Sequence, residues 1–208
     1  WQKLGYPFGS LVPSLATAIG SSADRPQALA ELVGILQNDG LRVPLRRIEA
    51  LHFGTGTPYE TRFEAASGPT TRVMSRETAQ VLRQQLQDVV ENGTGRRVRG
   101  ALRRADGTPI PIGGKTGSGD NRFKRFAADG SLISSRPINR TASFVFFIGD
   151  RYYGMVAAYV PGEGSEDYTF TSALALQTIK TLAPAIQRLV AGDVRRASAT
   201  SASAHAAP

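Results

Sequence analysis

The sequence contains no cysteine, and only two histidines, two methionines and one tryptophan in 208 residues. Without cysteine there is no structural disulfide, no thiolate metal site and no cysteine nucleophile. The same absence leaves the compartment open, since reducing and oxidising compartments both hold cysteine-free proteins. His52 stands in a segment that reads as a hairpin and His205 in the C-terminal tail. A histidine metal cluster or a Ser-His-Asp triad is not expected from such a pair, and neither a metal nor a cofactor is expected. No apolar run is long enough to span a bilayer, and the N-terminus lacks a signal pattern. Acidic residues are also short: 17 against 25 Lys and Arg, for a net charge of +8. That balance suits a solvated basic surface, nucleic acid, an anionic envelope surface or an acidic substrate. Arg96, Arg97, Arg99, Arg103 and Arg104 crowd one segment, yet no aromatic residue is interleaved. Single-strand binding uses stacking rings. The segment therefore reads as a solvated loop or a contact to an acidic partner, and no nucleic-acid partner is expected.

What is present is ordinary for a globular chain: 41% hydrophobic and 20% charged residues, enough for one domain or part of a larger one. The chain starts at Trp1, and Trp1-Gln2-Lys3-Leu4-Gly5 reads as the end of a helix with its glycine stop. The expectation is that something was removed upstream or that this is a piece of a longer protein. Residues 6 to 23 read as a loop with an apolar patch around Leu15 to Ile19. Asp24 with Gln27 gives a capping-box pattern before Ala28, Leu29, Leu32, Val33, Ile35 and Leu36 at helical spacing, and Gly40 ends that helix. Residues 41 to 74 read as short strands and a hairpin. Ser75 caps a second helix, Arg76 to about Glu91, stopped by Gly93 in the turn Gly93-Thr94-Gly95. Thr108 to Ile112 reads as a short strand. Residues 119 to 138 are polar, with turns expected at Asp129-Gly130 and Pro137. Thr141 to Gly149 and Tyr152 to Val160 form the clearest hairpin, with large apolar groups on both faces, so the sheet is expected to be covered on both sides. Phe170 to Val190 reads as a last helix with Leu174, Ile179, Leu182, Ile186 and Leu189 apolar, kinked or divided at Pro184. Ala and Ser dominate 191–208, which reads as a disordered tail.

The informative stretch is Gly113-Gly114-Lys115-Thr116-Gly117-Ser118-Gly119-Asp120. One ammonium, two hydroxyls and several glycines suit an anion site. Gly114-Lys115-Thr116 has the ending of a phosphate loop, but the loop's first glycine position holds Pro109, and Gly117 and Gly119 oppose the helix that must follow. The other reading is a Lys-Thr-Gly strand of the serine acyl-transferase type, lying at a sheet edge beside a nucleophilic serine.

The order of elements, together with Gly117-Ser118-Gly119-Asp120-Asn121-Arg122-Phe123 and Asn139-Arg140-Thr141-Ala142-Ser143-Phe144-Val145-Phe146-Phe147-Ile148-Gly149-Asp150-Arg151, resembles the C-terminal part of the transpeptidase domain of penicillin-binding proteins. It is most similar to the bifunctional class A type, which joins a glycosyltransferase module to the transpeptidase. The resemblance covers residues 1–190. It implies an α+β fold like that of serine β-lactamases and penicillin-binding proteins, mainly an antiparallel sheet with helices on both faces, here incomplete. It implies a serine D,D-transpeptidase that cross-links peptidoglycan stem peptides and is acylated by β-lactams. By the same resemblance Lys115 supports an electropositive site, and the Thr116 and Ser118 hydroxyls contact the ligand carboxylate. The Ser118 backbone N–H is an oxyanion donor, and Gly117 keeps the strand face open. The implied place is the periplasm, on the outer face of the inner membrane, through an N-terminal anchor that this chain does not contain.

One departure cuts against activity in this chain alone. The family's nucleophile lies in S-x-x-K and a second hydroxyl in S-x-N, and no serine here begins either motif; Ser22-Ala23-Asp24 and Ser118-Gly119-Asp120 are only S-x-D. The expectation is one wall of a catalytic site whose nucleophile comes from a missing N-terminal part. The alternative is a truncated, non-catalytic binding or scaffold module at the envelope.

Overall fold

The computed structural model describes residues 2–5, 15, 25–66 and 68–204, with residues 192–204 as helical backbone only. The chain divides into two compact units, Trp1–Leu82 and Arg83–Pro208.

In the first unit, a 3-10 turn at Gln2–Leu4 closes on Gly5, whose N–H reaches the Gln2 carbonyl at 3.0 Å. This is the glycine stop read from the sequence. Apart from Leu15, the expected loop over 6–23 lies outside the described residues. Helix α1 spans Pro26–Gln37, with Pro26 tolerated in the first turn because its missing N–H would have no helical partner. Arg25 stands at the N-cap without a side-chain cap bond. The expected capping box lies outside the described residues at its Asp24 end; Gln27 Nε2 donates to Glu31 Oε1 at 3.1 Å, one helical turn on. Ala28, Val33, Ile35 and Leu36 are buried. The helix stops as expected: Gly40, at φ +84°, returns its N–H to the Ile35 carbonyl at 2.8 Å.

Strand β1 (Leu41–Arg42) pairs antiparallel with β4 (Thr71–Arg72), and β2 (Ala50–Phe53) with β3 (Thr61–Glu64). Residues of β2 and β3 are exposed throughout, and Phe53 and Phe63 meet edge to face at 6.4 Å. His52 is a hairpin side chain, with Nε2 2.7 Å from Glu60 Oε1.

Helix α2 (Arg76–Glu91) has the bounds read from the sequence, and Ser75 Oγ accepts the Thr78 N–H at 3.2 Å as its cap. It begins in the first unit and ends in the second. A 3-10 turn, Arg96–Val98, follows it. The arginines nearby are largely turned onto their own chain: Arg97 donates to Gln177, Arg99 to the Glu91 carbonyl, Arg103 to the Gly107 carbonyl and Arg104 to the Pro109 carbonyl. The expected strand at Thr108–Ile112 reduces to an isolated bridge, Arg103 opposite Pro109. Pro109 and Pro111 supply no N–H, so a continuous ladder cannot form there.

The second unit is built on three antiparallel strands in the order β5-β6-β7: β5 (Ile112–Phe126), β6 (Leu132–Ile148) and β7 (Tyr152–Pro161). The β6–β7 hairpin is the one read from the sequence. The polar stretch 119–138 is the outer half of a long β5–β6 ribbon, which turns at 127–131, where Asp129-Gly130 is expected to turn. Pro137 makes no turn: it sits in β6 where the register slips between Asn121 and Arg122, a bulge that absorbs the missing N–H.

Helix α3 runs from Ser172 to Ala204 with Pro184 inside it, undivided. Its buried stripe is Ala175, Leu176, Ile179, Ala183 and Val190, whereas Leu174, Leu182 and Leu189 are exposed. The helical backbone runs on through residues 191–204, the Ala- and Ser-rich stretch. Alanine holds helix without needing a packing partner. The core joins that stripe to Val90, Val98, Leu102, Ile110, Ile112, Phe144 and Ile148. Phe147, on the other face of β6, is fully buried, with the Arg83 guanidinium of α2 5.8 Å from its ring centre. Each buried Phe contributes about 1.5–3 kcal/mol. Among the described residues no helix is long and apolar enough to cross a membrane.

Candidate functional site

Lys115, Thr116, Gly117 and Ser118 lie on β5, which has β6 on one side and no strand on the other among the described residues. It is an edge strand, as the Lys-Thr-Gly reading expects. Thr116 stands opposite Phe144 and Ser118 opposite Ala142, while Lys115 stands opposite Val145 and Gly117 opposite Ser143. Side chains alternate along a strand. The two hydroxyls therefore share the face of Phe144, and Lys115 projects from the other.

The glycines of this stretch are set by what lies across the ladder. A Cβ at Gly113 would fall 2.2 Å from the Phe147 ring and one at Gly114 2.4 Å from the Val145 carbonyl. At Gly117 the neighbour is Ser143 Oγ at 2.6 Å, so this position also clears a cross-strand hydroxyl.

Each candidate side chain has a defined partner. Lys115 Nζ donates to the Thr116 carbonyl at 2.8 Å. Thr116, only 9% exposed, has its Oγ1 2.7 Å from Thr94 Oγ1. Ser118 Oγ accepts the Ser172 N–H at 2.8 Å, and so caps the first turn of α3 from another element. Thr94, Arg96, Arg97, Thr171 and Ser172 line an open groove of about 590 Å³ beside these bonds. With two guanidinium groups, hydroxyls and a helix N-terminus, the surroundings favour an anion.

Thr94 and Ser172 escape a reading of the sequence. Gly93-Thr94-Gly95 has the composition of a turn, and nothing local ties Ser172 to a residue 54 positions away. Among the described residues no group of three or more His, Cys, Asp or Glu could hold a metal ion.

The family model described as penicillin binding protein transpeptidase domain matches residues 6–124, more than half of the 208. The match ends just past Ser118 and its glycine. Among solved structures, penicillin binding protein 3 from Mycobacterium tuberculosis, complexed with aztreonam, is 22% identical with a TM-score of 0.56, over 90% of this chain and 44% of that one. PBPA from Mycobacterium tuberculosis is 16% identical with a TM-score of 0.55, over 88% of this chain and 44% of that one. Penicillin-binding protein 2B from Streptococcus pneumoniae is 20% identical with a TM-score of 0.53, over 88% of this chain and 29% of that one. At these identities the likeness is one of fold: α+β, of the serine β-lactamase and penicillin-binding kind. The chain spans less than half the length of each. A comparison with curated proteins finds no match. On the family match, with an edge strand carrying Lys-Thr-Gly-Ser inside it, the chain belongs to the family of penicillin binding protein transpeptidase domains.

Proposed function

We propose that residues 1–190 are the C-terminal part of a serine D,D-transpeptidase domain of the class A type, which cross-links peptidoglycan stem peptides and is acylated by β-lactams. The observation that carries this reading is the placement of Lys115, Thr116 and Ser118 on an edge strand within the segment that matches the family. Lys115 contributes positive charge, and the Thr116 and Ser118 hydroxyls hold the carboxylate of the stem peptide or antibiotic. An edge strand leaves alternate amides unpaired, which is the condition an oxyanion donor at Ser118 needs. Such a donor is worth on the order of 3 kcal/mol in the transition state. The nucleophile and its lysine come from outside residues 1–208, since no serine here stands in S-x-x-K. The reaction of such a domain takes place in the periplasm, at the outer face of the inner membrane.

Labelling with a fluorescent penicillin tests this. The native protein that contains residues 1–208 should form a covalent adduct and the isolated 208-residue chain should not. Adduct on the isolated chain would place a nucleophile within it. Absence of adduct on the native protein would leave the scaffold-module alternative. Lys115→Ala in the native protein should slow acylation at least tenfold, about the worth of one charged hydrogen bond; an unchanged rate would remove Lys115 from the site.

A further inference from the structure

Thr94 stands apart from the Lys-Thr-Gly strand, at the end of α2, and its hydroxyl oxygen lies 2.7 Å from that of Thr116. One hydrogen bond between two hydroxyls uses one of their two hydrogens. A carboxylate only accepts, so a Thr116 hydroxyl that holds a carboxylate must give its hydrogen to the ligand. The hydrogen of the Thr94–Thr116 bond then has to come from Thr94. We propose that Thr94 is a positioning residue for carboxylate recognition: it donates to Thr116 and so aims the Thr116 hydrogen at the ligand. This rests on the transpeptidase reading above and extends it by one residue.

Two features of the fold support the role. The first is rigidity. The Thr94 turn is tied back to α2 by Gly93 N–H to the Asp88 carbonyl at 3.2 Å and Gly95 N–H to the Val89 carbonyl at 2.8 Å. A Cβ on Gly95 would stand 3.0 Å from Val90 Cγ2, so the close turn has little room for another residue type. A hydroxyl on such a turn loses little freedom on making its bond. The second is a parallel at Ser118. There the Ser172 N–H can only donate, so Ser118 Oγ is the acceptor and its own hydrogen remains for a ligand. With Thr94 as donor, Thr116 matches Ser118: each hydroxyl oxygen accepts from a neighbouring element and keeps its own hydrogen for a ligand.

The test compares acylation of the native protein by a penicillin and by its methyl ester, which lacks the charged carboxylate. Thr94→Val keeps the shape of the side chain without its hydroxyl, and Thr94→Ser keeps the hydroxyl. For the penicillin, Thr94→Val should lower the second-order acylation rate about tenfold through weaker binding, and Thr94→Ser should stay within about twofold of the unaltered protein. For the ester, all three should react alike. Equal rates with the penicillin for Thr94→Val and the unaltered protein would overturn the role, as would equal losses with acid and ester. If Thr94→Val does not fold, the ratio of acid to ester rates in Thr94→Ala decides in the same way. No adduct on the unaltered protein would fell the transpeptidase reading and this inference with it, whereas adduct formation indifferent to Thr94 fells the inference alone.

Discussion

At Gly114 the space for a side chain is taken by the neighbouring strand: a Cβ would meet the Val145 carbonyl at 2.4 Å and the Phe144 ring at 2.7 Å. Neither neighbour can give way easily, since one is backbone and the other is fully buried. Gly114→Ala should therefore cost about 1–3 kcal/mol, the usual range for overpacking, read as a lower denaturation midpoint at unchanged slope. Gly117→Ala meets only the Ser143 hydroxyl, which can rotate, and should cost less. Equal midpoints for the two variants would contradict the assignment of Gly114 to strand packing. The identities of Lys115, Thr116 and Ser118 are legible in the sequence because the motif is contiguous. Their separation onto two faces follows only once β5 is known to be a regular strand through all of them. Thr94 is not legible at all, because its partner is 22 positions away across a fold that local pattern does not specify.

Among the elements, the β2–β3 hairpin carries a titration of its own. The Gly56 N–H, first, and His52 hold the Glu60 carboxyl below the ordinary glutamate value. A carboxyl whose pKa is depressed on folding adds stability above its unfolded pKa, and that stability is lost as pH falls through the lower, folded value. The turn 54–60 should loosen on acidification below the normal glutamate range. The Glu60 side-chain carbon resonance should titrate at lower pH than in a short peptide; a peptide-like midpoint would mean the turn is open in solution. Element boundaries differ in legibility for physical reasons. Helix α2 has a serine cap, an apolar stripe and a glycine stop, so its bounds follow directly. The outer half of the β5–β6 ribbon gives no strand signal because it shows no clean alternation and leaves its large apolar groups outward: Phe123, Phe126, Leu132 and Ile133 are all more than half exposed. The register slip at Pro137 hides it further. In α3 the three outward leucines mislead, since the small Ala175 and Ala183 stand in the packed stripe beside Leu176, Ile179 and Val190.

For the molecule as a whole, net charge and exposed apolar surface act in opposite directions. A charge of +8 keeps copies apart at low ionic strength. Ile48, Phe53 and Phe63 are each more than half exposed in the first unit, a concentration that favours association. Salt screens the repulsion and leaves the apolar attraction. The isolated 208-residue chain should sediment as larger species when salt is raised from about 0.05 M to about 0.5 M, where the Debye length falls several-fold. A monomer at both concentrations would show that these side chains do not drive association.

The Asp129-Gly130 turn bears on how the site comes into being. Asp129 Oδ1 takes both the N–H and the hydroxyl of Ser131, and Gly130 sits at φ +84°, a conformation glycine adopts without strain. Those contacts span two residues, and every rung of the β5–β6 ladder inward from them adds a pair already brought near by the previous one. Loop-closure entropy is thus met early and in small steps. The edge that carries Lys115 and Ser118 can zip from a local nucleus, a turn whose own residues lie far along the ribbon from the chemistry.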